Sequence, residues 1–129
     1  MSLTESRLSV CVPICNAGNF LEHCVKSLFS QTMVERMDFI FIDDASDDRS
    51  VEILSRMLDE NPARRQFVTV AVREHRGGAA EARNMGLEMA QGAYLAFCDA
   101  DDRVEPDMYE RLVCELEKTG ADFAYCGMK

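Results

Sequence analysis

The stretch Gly92-Ala93-Tyr94-Leu95-Ala96-Phe97-Cys98-Asp99-Ala100-Asp101-Asp102 runs from a glycine through six apolar or aromatic residues straight into three carboxylates. A short apolar run bounded in this way suits a strand buried on both faces, and such strands belong to largely parallel sheets covered by helices. Parallel sheets of this kind bind ligands beyond the carboxyl ends of their strands. The acid cluster therefore stands where a site is expected.

Working outward, four more runs have the same character: Leu8 to Ile14, Asp38 to Ile42, Phe67 to Val72 and Asp122 to Cys126. Segments of helical period separate them. Phe20, Leu21, Cys24, Val25, Leu28 and Phe29 share one helix face, with Asn19 and Glu22 as a variant capping box. A second helix follows Ser50, carries Val51, Ile53, Leu54, Met57 and Leu58, and ends at Asn61-Pro62, because proline disfavours helix at the residue before it. A third spans about Ala79 to Ala90, and a fourth runs from near Pro106 to Gly120. Strand and helix alternate throughout, with no repeat or linker composition, which predicts one α/β domain over residues 1–129.

The chain has 129 residues and a net charge of -9, so attraction to nucleic acid is not expected of it. No run approaches the roughly 18 apolar residues that span a bilayer. The six cysteines at positions 11, 15, 24, 98, 114 and 126 form no CxxC pair, and four lie in apolar runs. They read as reduced core residues of a cytoplasmic protein.

Polar clusters follow three of the predicted strands. The first strand leads into Pro13-Ile14-Cys15-Asn16, the second into Asp43-Asp44-Ala45-Ser46-Asp47-Asp48, and the fourth into Asp99-Ala100-Asp101-Asp102. Ser46, Asp47 and Asp48 suit turns and caps, whereas Asp43 and Asp44 suit a turn and a ligand contact equally. Three carboxylates in four residues raise one another's pKa unless a cation neutralises them, and hard oxygen ligands favour Mg2+ or Mn2+. Such an ion would also supply the positive charge that an acidic diphosphate binder lacks. Arg73-Glu74-His75-Arg76-Gly77-Gly78 reads as a flexible ligand loop. Arg83 suits either a phosphate or an ion pair with Asp99 or Asp101.

In this order the motifs resemble family 2 glycosyltransferases from Leu8 to Cys126. The matching stretches are Leu8 to Asn16, Phe41 to Asp48, Gly78 to Leu87 and Gly92 to Asp102. The resemblance implies a Rossmann-like GT-A fold and metal-dependent, inverting transfer of a sugar from a nucleoside diphosphate donor, with UDP as the expected carrier, to a carbohydrate or lipid-linked acceptor. By position, Pro13, Cys15 and an aspartate of the Asp43–Asp44 pair would hold the nucleobase. Asn16, Arg83, Asp99 and Ala100 complete the implied donor contacts, and Asp99 and Asp101 would hold the metal, with Asp101 first in line. Two positions depart from the family pattern: Cys15 stands where an aromatic is usual, and Arg76 where asparagine is common.

The family's acceptor half and its general base come after the equivalent of Cys126, so the base is expected to be absent from this chain. The uncovered flank of the sheet makes self-association an expectation, as is a peripheral place at the inner face of a membrane. The rival expectation is a non-catalytic nucleotide-sugar-binding module. A nucleotidyltransferase would need a glycine- and lysine-rich loop after the first strand, which the sequence does not contain.

Overall fold

The computed structural model describes residues 7–120. Ten elements follow in the order β1 (Leu8–Ile14), α1 (Gly18–Phe29), a 3-10 turn (Val34–Arg36), β2 (Met37–Asp43), α2 (Ser50–Glu60), α3 (Pro62–Arg65), β3 (Val68–Val72), α4 (Ala79–Met89), β4 (Tyr94–Phe97) and α5 (Met108–Thr119). The sheet has the order β3-β2-β1-β4, and every pairing is parallel. The expected α/β architecture is therefore present, with β1 as predicted, β2 longer and β4 shorter by two residues each. The strand expected at Asp122 to Cys126 lies outside the described residues.

Alternation along the two central strands divides the core. Val10, Val12, Ile14, Met37, Phe39 and Phe41 face a layer built by Leu21, Cys24, Val25 and Leu28 of α1, Leu54, Met57 and Leu58 of α2, and Tyr109 and Val113 of α5. On the opposite face Cys11, Ile40 and Ile42 meet Ala82, with Met85 and Met89 of α4 packed alongside. Each fully buried Val, Leu, Ile or Phe contributes about 1.5–3 kcal/mol of transfer free energy. The contact between α4 and β1 is close enough that a Cβ on Gly86 would meet Cys11 Sγ at 2.0 Å. Only hydrogen fits there.

Four sequence expectations are corrected by packing. Asn19 does not cap α1: the N-cap is Ala17, and partners for two N–H groups at this end come from the β2–α2 loop and the first residue of α2. Ala17 N–H donates to Ser50 Oγ at 3.1 Å and Gly18 N–H to Asp48 Oδ2 at 3.0 Å. This cap is tertiary and leaves no local signature. Phe20 and Val51, read as core, are exposed, because each sits at the margin of its helix's buried stripe. Cys15 and Cys114 are exposed free thiols, whereas Cys11, Cys24 and Cys98 are buried as expected. The Arg73 to Gly78 loop, read as flexible, is tied to β2 by hydrogen bonds described below. No helix among the described residues is long and apolar enough to cross a membrane.

Candidate functional site

The sheet order places a topological switch point between β1 and β4, where crevices form in parallel sheets. Pairing makes this one deeper. β4 matches β1 only from Leu8 to Cys11, with Cys98 N–H donating to Cys11 O at 3.0 Å. Groups two residues apart point the same way, so the position where Pro13 lacks a donor faces the side on which β4 has already ended. A proline inside a central strand is thus accommodated without losing a ladder bond.

The gap is a cavity of about 270 Å³, lined by Pro13, Ile14, Cys15, Asn16, Ala17, Phe20, Asp44, Ala79, Ala82, Asp99, Ala100 and Asp101. It gathers three strand ends and the first turns of α1 and α4. Two loops are stapled beside it. Asn16, at φ 53°, donates its N–H to Ser46 Oγ and accepts from Asp47 N–H at 2.7 Å. Left-handed backbone suits asparagine, but Ala45 shares it at φ 55°, a conformation costing a residue with Cβ roughly 1–2 kcal/mol. Its carbonyl accepts from Arg76 Nη2, which also bonds Asp47.

Asp43 and Asp44 take different parts. Asp43 turns away from the cavity lining, accepting from Ser46 N–H at 3.1 Å and Ser46 Oγ–H at 2.6 Å. Asp44 accepts from Gly77 N–H at 2.9 Å and Arg73 Nη1 at 3.1 Å on Oδ1, and from Gly78 N–H at 2.7 Å on Oδ2. Burial alone would push its carboxyl up, but those two N–H groups, then Arg73 and Arg76, hold it below the ordinary carboxylate range. Gly78 takes φ 96° at the start of α4, which lets its N–H turn toward Asp44. Asp44 lines the cavity, and a carboxylate that accepts three hydrogen bonds keeps acceptor capacity for a fourth.

At the other end, Asp99, Asp101 and Asp102 each offer an oxygen within 4.8 Å of the others, and all three are exposed. The turn is closed by Asp102 N–H donating to Asp99 O at 2.9 Å. Burial, then the charges of Asp101 and Asp99, raises the Asp102 carboxyl above its usual range. The three carboxylates are hard oxygen donors close enough together that they could hold a divalent ion of the Mg2+ or Mn2+ kind. Arg83 Nη2 pairs with Asp99 Oδ1 at 3.1 Å, one of the two partners its sequence position left open.

Of the residues singled out in the sequence, the cavity brings together Pro13, Cys15, Asn16, Asp44, Asp99, Ala100 and Asp101. Arg83 borders it through Asp99, and Asp43 does not line it. Sequence reasoning missed Phe20, Ala79 and Ala82 as lining, because these helical residues carry no local signal; it placed Asp102 in the carboxylate cluster but named only Asp99 and Asp101 as metal ligands, and the structure sets all three side by side.

A parallel sheet covered by helices, with a crevice at its switch point, is the architecture of the GT-A fold. Consistent with that architecture, the fold is similar to S. aureus TarS in complex with UDP-GlcNAc, with a TM-score of 0.79 and 24% identity, covering 90% of this chain and 32% of that one. It is also similar to the mannosyltransferase PcManGT from Pyrobaculum calidifontis in complex with GDP-Man and Mn2+, with a TM-score of 0.81 and 24% identity, covering 88% of this chain and 33% of that one. The profile of glycosyl transferase family 2 matches residues 9–129, and the chain belongs to that family. Among curated relatives, the uncharacterized glycosyltransferase YibD of Escherichia coli K12 is 39% identical over 126 residues, 98% of this chain and 35% of that protein. The chain spans about a third of the length of the first curated relatives it matches.

Proposed function

We propose that this chain binds a nucleoside diphosphate sugar in the β1–β4 cavity and forms the donor side of an inverting glycosyltransferase that glycosylates a carbohydrate or lipid-linked hydroxyl. The observation that carries this is one cavity with a hydrogen-bonding carboxylate, Asp44, toward one side and two members of a carboxylate trio, Asp99 and Asp101, toward the other. Neighbours of the same fold hold UDP-GlcNAc, and GDP-Man with Mn2+, which supports a donor of this class. UDP is the carrier we assign.

Asp44 accepts an N–H of the base on its remaining position, while Pro13 and Cys15 pack against the ring and Asn16 shapes the turn beneath it. Asp99 and Asp101, with Asp102 beside them, would hold Mn2+ or Mg2+ against the diphosphate. When bound, the ion stabilises charge on the leaving diphosphate. Arg83 moves between Asp99 and a phosphate oxygen as the donor enters. Proton removal from the acceptor hydroxyl is assigned to a group outside the donor site, since attack with inversion comes from the face opposite the diphosphate. This role keeps the protein in the cytoplasm, at the inner face of a membrane when its acceptor is lipid-linked.

Calorimetric titration of UDP and then GDP tests the assignment, with manganese, with EDTA and in Asp101→Ala. Metal-dependent UDP binding that the substitution abolishes is the expected result. Absence of binding by folded protein refutes the donor site.

A further inference from the structure

Phe20 is out of place as a core residue. It lies in the first turns of α1 beside the buried Leu21, yet it is 55% exposed and lines the cavity. An aromatic ring left in water on a rigid helix forgoes the burial that dominates aromatic energetics, and inside a ligand-sized cavity it is available to a ligand instead.

Its position along the cavity follows from the helix. Cys24, one turn further on the same face, approaches Asp99 O with its Sγ at 3.6 Å. Helical side chains lean toward the N-terminus, so the Phe20 ring extends from that contact past the end of the sheet, beside the Asp99–Asp101 turn. Asp44 lines the cavity from just past the end of β2, which lies on the other side of β1 from β4. The ring therefore belongs to the carboxylate end and not to the end assigned to the base.

We propose that Phe20 is the platform on which the donor's sugar ring packs, its aromatic face against the C–H face of the pyranose. This rests on the donor-site assignment: with the diphosphate at the carboxylate trio, the group that continues past it is the sugar. The contact is apolar and broad. It selects hexopyranoses with an uninterrupted C–H face and contributes to binding of the sugar nucleotide alone, not of the bare nucleotide.

The experiment compares wild type, Phe20→Ala and Phe20→Tyr in calorimetric titrations with UDP and with UDP-N-acetylglucosamine in manganese, and with GDP and GDP-mannose if guanine is the preferred base. Covering roughly 50 Å² of ring predicts that Phe20→Ala weakens the sugar nucleotide about tenfold and leaves the bare nucleotide within about twofold. Phe20→Tyr, which keeps the face, should retain both affinities. Equal loss of both ligands, or loss of neither, overturns the assignment of Phe20 while leaving the donor site standing. A drop in melting temperature without a change in the affinity ratio also overturns it, marking Phe20 as a packing residue. Failure of wild type to bind any of the four ligands instead refutes the donor site and this inference with it.

Discussion

Asp44→Asn isolates the clamp between β2 and the Arg73–Gly78 loop. The wild-type carboxylate is 2% exposed and accepts two backbone N–H groups and a guanidinium. Asparagine keeps one oxygen and turns an NH2 toward at least one donor, so a charge-assisted bond is lost and a buried N–H is left unpaired. The lost bond is worth about 1.5–3 kcal/mol and the orphaned donor about 1–3 kcal/mol, of which relaxation of an exposed loop recovers part. Arg73 retains Glu81, which limits the damage. The expected cost is about 3 kcal/mol, a fall in melting temperature of roughly 10 °C for a chain of this size. Thermal unfolding followed by circular dichroism reads the loss, and hydrogen exchange should show Gly77 and Gly78 amides losing protection. Asp47→Asn is the control, since its pair with Arg76 is surface exposed and worth about 0–1 kcal/mol. An Asp44→Asn protein within about 0.5 kcal/mol of wild type would refute the clamp.

Acid should destabilise the protein through the same loops. Asp44 is depressed as described, and Asp48 is depressed chiefly by the Ser50 hydroxyl, which with the Gly18 and Ser50 N–H groups outweighs burial. Depressed folded values mean stability that is complete above the unfolded carboxylate pKa of about 3.9 and lost as pH falls below it. Asp102, raised, works the other way, favouring the fold when protonated. Denaturant unfolding at successive pH values should show net loss on acidification in wild type and a shallower loss in Asp44→Asn; parallel profiles would count against the reasoning. Gly86→Ala, ordinarily favourable within a helix, should cost about 1–3 kcal/mol because its Cβ would meet Cys11 Sγ at 2.0 Å and Cβ at 2.9 Å. Adding Cys11→Ala should restore part of that loss, and a neutral single variant would show that α4 shifts freely.

Much of the fold was legible because it depends on short-range patterns. Apolar runs such as Phe39 to Ile42 must be buried on both faces, and alternation with amphipathic segments permits few arrangements other than a parallel sheet between helices. The carboxylate cluster was legible for a similar reason: three charges adjacent in sequence remain adjacent in space. Phe20 misled because a helical stripe has margins, and whether a margin residue is covered depends on what packs against it. The N-cap of α1 misled because its acceptors, Asp48 and Ser50, come from 30 or more residues away.

By itself, the sequence determined the alternation of elements, the family, and the residues at the ends of β1, β2 and β4, since all of these follow from local periodicity and contiguous motifs. Tertiary structure alone decided their tasks. Asp43, the last residue of β2, and Asp44, the first beyond it, are neighbours with identical side chains, yet successive side chains at a strand end point in opposite directions. The first therefore meets Ser46 in its own turn, and the second meets the backbone of a loop more than 30 residues further on. That division follows from the pleat, the order in which strands are laid side by side, and the early end of β4.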